Sequence, residues 1–329
     1  MNEFNKSREA ADRYANLAER LQAEGLLKEA ELGFEAAALI DSADSQLQLG
    51  WGGPFNGQKA RCELIKKIIQ MWEPAAVVET GTFRGITTEW LADITTCPIY
   101  TCEKNKRYFL QARRRLENKK NVHISLEDSR KFISKLAGTE LAQKRVLFYL
   151  DAHWEQDLPL REEITLIFNS FEHPCVVVDD FRVPFDTGYS YDDYGKGKVL
   201  SLEILEGLLT PEIQVAFPST PSALDSGARR GALVLMRKDS TDLIASTNLI
   251  RVGDPRDWRV SELEIDVDLK QLQIEALKSR VAEMDWHLKE GIKQIEMLTS
   301  RITELDWHCE ERMKQITELT AIINKSRKS

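Results

Sequence analysis

Five short apolar runs in this chain each lead to an acidic residue, and helical segments separate the runs. The runs reach Glu79, Glu103, Asp128, Asp151 and Asp179, in that order along the chain. Near-continuous apolar strands that alternate with helices form a parallel sheet covered on both faces. Such a sheet binds its ligand outside the carboxyl ends of its strands, at the point where strand order reverses. The five acids are therefore expected along one edge of one sheet. Two later runs, residues 213–217 and 232–236, add further strands, the last pair antiparallel. The expectation is a doubly wound, mostly parallel α/β sheet of seven strands.

The turn after the first strand narrows the ligand. It reads Glu79-Thr80-Gly81-Thr82-Phe83-Arg84-Gly85. Its glycines are spaced G-x-x-x-G, which departs from the G-x-G-x-x-G turn that seats a dinucleotide pyrophosphate on a helix N-terminus. Glu79 beside the turn disfavours a pyrophosphate and suits a cationic amino-acid group. Glu103 at the next strand end is placed to accept two ribose hydroxyls. Asp128 and Ser129, on the third strand, are placed to receive an adenine amino group. A ligand that is nucleoside, amino acid and cation at once is S-adenosylmethionine.

With these residues in place the chain resembles the class I S-adenosylmethionine-dependent methyltransferases over residues 50–237. Phe83, where a middle glycine is common, resembles the catechol O-methyltransferase branch. The resemblance implies a Rossmann-like sheet with Glu79, Gly81, Thr82 and Gly85 at the methionine part of the donor. It further implies Glu103 at the ribose, with Asp128 and Ser129 at the adenine.

Asp151, Asp179 and Asp180 converge at one sheet edge, where unpaired carboxylates repel one another. A hard divalent cation with oxygen ligands relieves that repulsion. The segments around Asp151 and around Asp179-Asp180 resemble the metal motifs of catechol-type and macrolide-sugar O-methyltransferases, which implies Mg²⁺ at these three aspartates. The alternative is that Asp151 only faces the methyl donor while Asp179 and Asp180 cap a helix. Catechol-type enzymes carry a lysine base shortly after the first metal aspartate; here Ala152, His153, Trp154 and Glu155 follow Asp151. His153, whose unperturbed pKa is ~6.5, suits proton removal near neutral pH; it either takes that role together with Asp151 or orients a metal aspartate. Three tyrosines (Tyr189, Tyr191 and Tyr194) in the stretch after Asp180 read as a loop that contacts a small-molecule or glycan acceptor. A Gly-rich stretch over residues 49–58 reads as a fold over the cofactor or a plain turn. The reading favoured overall is O-methylation of a sugar, glycoside or related hydroxylated natural product. The alternatives are metal-independent methylation and a coiled-coil scaffold with a vestigial catalytic domain.

The ends of the chain differ from its middle. Residues 7–41 carry two helical repeats broken at Gly25 and resemble one tetratricopeptide repeat, which cannot bury its own face alone. Past Arg237 a linker is expected. From Val267 the apolar period becomes seven, with β-branched residues at a and mostly Leu at d, a pattern that favours a parallel two-stranded coiled coil. Arg280 with Asp285, and Arg301 with Asp306, stand in g-to-e′ register across such a dimer. An octad ending Asp285-Trp286-His287 recurs 21 residues on as Asp306-Trp307-His308, and Trp286 and Trp307 at f suggest a further partner protein. The expected division is a hairpin over 1–48, a catalytic domain over 49–240, a linker over 241–260 and a coiled coil over 261–325.

A formal net charge of −8 argues against a general nucleic-acid binder. Five scattered cysteines with no C-x-x-C pair suit a reducing compartment. No apolar run approaches membrane-spanning length, so a cytoplasmic protein is expected.

Overall fold

The computed structural model describes residues 3–43, 52–153 and 157–326. It divides into two compact units, residues 1–262 and 263–329. In the first unit a helical hairpin, α1 (Glu3–Ala23) and α2 (Leu27–Ala43), precedes α3 (Lys59–Trp72) and the sheet. The alternating part runs β1 (Ala76–Thr80), α4 (Ile86–Ile94), β2 (Ile99–Glu103), α5 (Lys106–Arg115), β3 (Val122–Leu126), α6 (Ser129–Ala137), β4 (Arg145–Leu150), α7 (Leu160–Ser170) and β5 (His173–Asp179). Then follow β6 (Ile213–Pro218), β7 (Ala232–Arg237), α8 (Lys238–Ala245), β8 (Ile250–Gly253) and the long helix α9 (Pro255–Ser326).

The sheet order is β3-β2-β1-β4-β5-β7-β6-β8. The five acid-terminated strands pair in parallel; β7, β6 and β8 pair antiparallel. The sheet has eight strands, not the expected seven. The extra strand is β8, whose Ile250-Arg251-Val252-Gly253 alternates at the sheet edge and pairs with residues 215–218 of β6. The stretch read as a linker thus carries α8, β8 and the first turns of α9, where Trp258 packs on Phe185 and Phe217 at 5.0 and 5.8 Å.

Each central strand is apolar on both sides because both sides are covered. Along β4, Val146, Phe148 and Leu150 face a core shared with α6 and α7; Leu147 and Tyr149 face a second core shared with α3. Side-chain caps start two of the helices: Asn105 accepts from Arg107 N–H at 3.0 Å and Asp128 from Arg130 N–H at 3.1 Å.

The hairpin packs on α5 through Ala18, Ala30, Phe34, Ala38 and Leu110. A buried ion pair pins it there: Arg107 donates to both oxygens of Asp41 at 2.6 and 2.9 Å and to Asp12 at 2.7 Å. Asp41 is fully buried. Removing one partner of such a pair strands the other charge. Asp41→Ala is therefore expected to lower stability by about 3 kcal/mol in urea titrations, while Asp12→Ala at the half-exposed contact costs far less.

In the second unit α9 presents its heptad positions to solvent. Ile274, Leu277, Val281, Met284, Leu288, Ile295, Leu298, Ile302, Leu305, Ile316 and Leu319 are each 46–70% exposed. No helix among the described residues is long and apolar enough to cross a membrane.

Candidate functional site

Strand order reverses between β1 and β4, so the loops that leave them diverge and open a crevice at their carboxyl ends. The two ends touch at Gly81, where a Cβ would lie 2.3 Å from the Asp151 carbonyl oxygen. Its φ of +81° also belongs to the left-handed region that favours glycine. The sharp turn continues through Phe83, at φ +48°, to Gly85 ahead of α4.

Beneath this turn lies a sealed polar cluster. Glu79 is buried, and its Oε2 accepts from Thr101 at 2.7 Å and from Thr88. Thr82 turns inward to the Thr101 hydroxyl. Burial pushes the Glu79 carboxyl up to about 7, against the two threonine hydrogen bonds that favour its charge. Glu103 is fixed at the end of β2 by two backbone donors, Phe83 N–H at 2.8 Å and Asn105 N–H at 2.7 Å. Burial raises its carboxyl and those donors oppose the shift. Asp128 is held differently: Arg130 grips both of its oxygens at 2.9 and 2.6 Å and holds the carboxyl down to about 2. Ser129 is buried at the start of α6, beside Glu163. Of the expected donor-site residues, Glu79, Gly81, Thr82, Gly85 and Glu103 surround one turn; the carboxylate of Asp128 is taken up by Arg130.

The described part of the Gly-rich stretch, residues 52–58, sits beside the turn. Phe55 is buried with its ring 5.1 Å from Trp90 and 5.0 Å from Tyr149. Leu49, Gly50 and Trp51 lie outside the described residues, as do Trp154 and Glu155.

A second cluster occupies the ends of β4 and β5. Ligand atoms of Asp151, His153 and Asp180 all lie within 4.8 Å of one another. His153 Nε2 is buried without a hydrogen-bond partner, 3.8 Å from Asp151 Oδ1 and 3.8 Å from Asp192 Oδ2. Burial lowers its pKa, so the ring is neutral. Desolvation in the crevice, and then the charges of Asp179 and Asp180, raise Asp151 well above the usual carboxylate range. Its side chain is still 38% accessible, as expected of a group walled in by protein atoms but open to a ligand. Asp180 is pushed up to about 7 by burial and then by Asp179. Its backbone sits at φ +54°, a conformation that costs a non-glycine residue about 1 kcal/mol.

Asp179 does not join this cluster. Arg61 of α3 pairs with it, and both side chains are 2% exposed. Burial alone would raise its pKa, but the Arg61 charge and hydrogen bonds outweigh burial and hold the carboxyl low. The carboxylate that approaches His153 in its place is Asp192, from the tyrosine-rich segment. Tyr194 donates to Asp192, whereas Tyr189 is buried and donates to Thr220 O at 3.0 Å. The residues that sequence reasoning passed over are thus Arg61 and Asp192. Their only signals were a helix start and an acid among tyrosines. Arg229-Arg230 reads in the sequence as an anion-binding pair or a plain turn, and Arg230 binds two carboxylates.

A divalent cation is compatible with this donor set. Three convergent ligand atoms, one of them a buried imidazole nitrogen with no partner, form an open-sided group of mixed N and O character. The imidazole suits Zn²⁺ or Fe²⁺, and the two carboxylates suit Mn²⁺ or Mg²⁺.

No family model and no curated protein sequence matches this chain. Among solved structures the chain is similar to an O-methyltransferase from Bacillus cereus in complex with SAH, at 15% identity, over 69% of this chain and 100% of that one, with a TM-score of 0.43. It is similar to the O-methyltransferase TomG from Streptomyces achromogenes, involved in tomaymycin synthesis and bound to SAM, at 16% identity over 54% and 79% of the two chains, TM-score 0.40. An rRNA methylase from Streptococcus thermophilus is similar at 15% identity over 54% and 95%, TM-score 0.36.

Proposed function

We propose that this chain is a methyltransferase that moves the methyl group of S-adenosylmethionine to a hydroxyl oxygen of a sugar, glycoside or related hydroxylated acceptor. The observation that carries this reading is the meeting of two clusters at the β1/β4 reversal. A turn with a buried carboxyl suited to a cationic donor adjoins a basic imidazole set between Asp151 and Asp192. In the reaction the acceptor oxygen forms a bond to the methyl carbon as the carbon–sulfur bond breaks. S-adenosylhomocysteine leaves, and the hydroxyl proton passes to His153 Nε2. Glu79, Glu103 and the turn from Gly81 to Gly85 hold the donor; Asp151 and Asp192 flank His153 Nε2 and favour the imidazolium that forms. A divalent cation at Asp151, His153 and Asp180 would lower the pKa of the acceptor hydroxyl. A His153 engaged with that cation is not free to take the proton, and neither is Asp151, so Asp192 then serves as base.

Calorimetry with S-adenosylmethionine tests the donor assignment. A sulfonium near Glu79 lowers the pKa of that carboxyl, so binding at pH 7 is expected to release a fraction of a proton. The apparent enthalpy will then vary with the ionisation heat of the buffer. The proton release should vanish in Glu79→Gln. An undetectable interaction would leave the scaffold reading in its place. Turnover of a glycan and nucleotide-sugar panel with labelled donor tests the acceptor class, and loss of turnover in EDTA tests the metal; activity untouched by EDTA favours metal-independent transfer.

The exposed seam of α9 supports a parallel dimer. From residue 273 on, the g positions of the heptads carry no acid, and the parallel arrangement sets Arg280 and Arg301 against Asp285 and Asp306 of a second copy. Full-length protein is expected to sediment as a dimer, and Leu298→Asp with Leu305→Asp as a monomer. Trp286 and Trp307, 61% and 60% exposed at the outer f position, are left for a partner protein.

A further inference from the structure

Arg230 is locked in place from behind. Its N–H donates to Gln58 Oε1 at 3.0 Å, and its carbonyl accepts from Gln58 Nε2 at 2.9 Å and from Arg61 Nη2 at 2.8 Å. Gln58 is 1% exposed and in turn donates to Asp225 at 3.0 Å. From this fixed base the side chain reaches forward, with Nε 2.6 Å from Asp180 Oδ1 and Nη2 on Asp192 Oδ1. One guanidinium therefore ties a strand end to the tyrosine-rich segment, on either side of His153.

The local charge balance gives that tie a second meaning. Asp151, Asp179, Asp180 and Asp192 face two guanidiniums, Arg61 on Asp179 and Arg230 on Asp180 and Asp192. Four carboxyls against two guanidiniums leave a surplus of two, which is relieved by protons on Asp151 and Asp180 or by one divalent cation in their place. A lysine could offer the same charge, but not the planar fork that spans two carboxylates.

We propose that Arg230 is the positioning residue of this site: its guanidinium bridges Asp180 and Asp192, clamps the 190–199 segment over His153, and offsets one negative charge at the expense of cation affinity. The proposal rests on the divalent-cation reading of Asp151, His153 and Asp180. Arg230 then opposes the metal electrostatically while it holds the 190–199 segment, so the two effects separate on mutation.

The test uses full-length protein with Mn²⁺ as the sole added ligand, titrated calorimetrically, alongside amide hydrogen exchange of residues 190–199. Circular dichroism confirms that each variant is folded. Arg230→Gln removes a positive charge and the bridge; Mn²⁺ is expected to bind about tenfold tighter, and exchange over 190–199 to accelerate about tenfold. Asp192→Asn removes a negative charge and the same bridge, so exchange accelerates similarly while Mn²⁺ binds more weakly. Arg230→Lys retains the charge and loses the bridge, so affinity stays near the wild-type value while exchange rises. Opposite signs on the metal with the same sign on the loop cannot arise from general destabilisation. Weaker or unchanged Mn²⁺ binding in Arg230→Gln overturns the proposal, as does unchanged exchange in all three bridge-breaking variants. If the wild-type protein binds no Mn²⁺ at millimolar concentration, the cation reading fails and with it the electrostatic half of the proposal; the exchange measurements still decide whether Arg230 is a clamp.

Discussion

Arg61→Met will cost on the order of 3–5 kcal/mol of folding stability, among the largest effects of any single substitution outside the strands. Methionine preserves much of the volume, so the loss is not a cavity effect. Arg61 is 3% exposed and serves three groups: the Asp179 carboxylate, the Tyr149 hydroxyl at 3.3 Å and the Arg230 carbonyl at 2.8 Å. Its removal leaves Asp179 charged and 1% exposed, with no cation to offset its desolvation. Urea denaturation at pH 7 reads the loss as a shift in midpoint with little change in slope.

The pH dependence fixes the cause. In the wild type Asp179 is held below its ordinary range, so the pair contributes stability above the unfolded pKa of ~3.9 and loses it as pH falls through the folded value. In Arg61→Met the same carboxyl, buried without its cation, is raised instead. That variant regains stability relative to wild type as the pH drops from 7 toward 5. A deficit independent of pH would mean that packing around α3, and not the stranded charge, accounts for the loss.

The same pair marks the limit of what the sequence discloses. The strands were legible because β1, β4 and β5 are buried on both faces, which forces unbroken apolar runs. Their acids were legible because each run stops where the chain reaches the crevice. β8 was not, because Ile250-Arg251-Val252 at a sheet edge carries one apolar face over four residues and looks like any polar connector. Asp179 and Asp180 are adjacent, but Asp179 ends β5 and Asp180 turns away at φ +54°; which of them joins the cluster depends on what packs there. The answer lies 118 residues earlier, in Arg61, which on a helix of otherwise ordinary amphipathic spacing looks like one more solvated cation. Pairings of that range leave no local trace. His153 was legible from its two-residue offset after Asp151, whereas Asp192 was visible only as one polar residue in a tyrosine-rich loop.

The second large effect concerns turnover. If His153 takes the acceptor proton, His153→Ala will lower kcat by roughly 10²–10⁴ while leaving the affinity for S-adenosylmethionine unchanged, because the imidazole stands at the β4 end and the donor turn at β1. The buried ring has a lowered pKa, so its neutral form persists to more acidic solution. The acid limb of the wild-type kcat/KM profile is therefore expected below pH ~6.5, the unperturbed imidazole value. That limb should disappear in the alanine variant, with its slow residual rate. Asp151→Asn separates proton transfer from metal binding. The asparagine keeps an oxygen for the imidazole or a cation but removes the charge, so added Mn²⁺ should recover part of its turnover. The same addition should do nothing for His153→Ala if the imidazole is the base, and should rescue it if the imidazole is a ligand. A His153→Ala enzyme that keeps both its rate and its acid limb would remove the imidazole from the chemistry and move the base to Asp151 or Asp192, the two carboxylates that flank it at 3.8 Å.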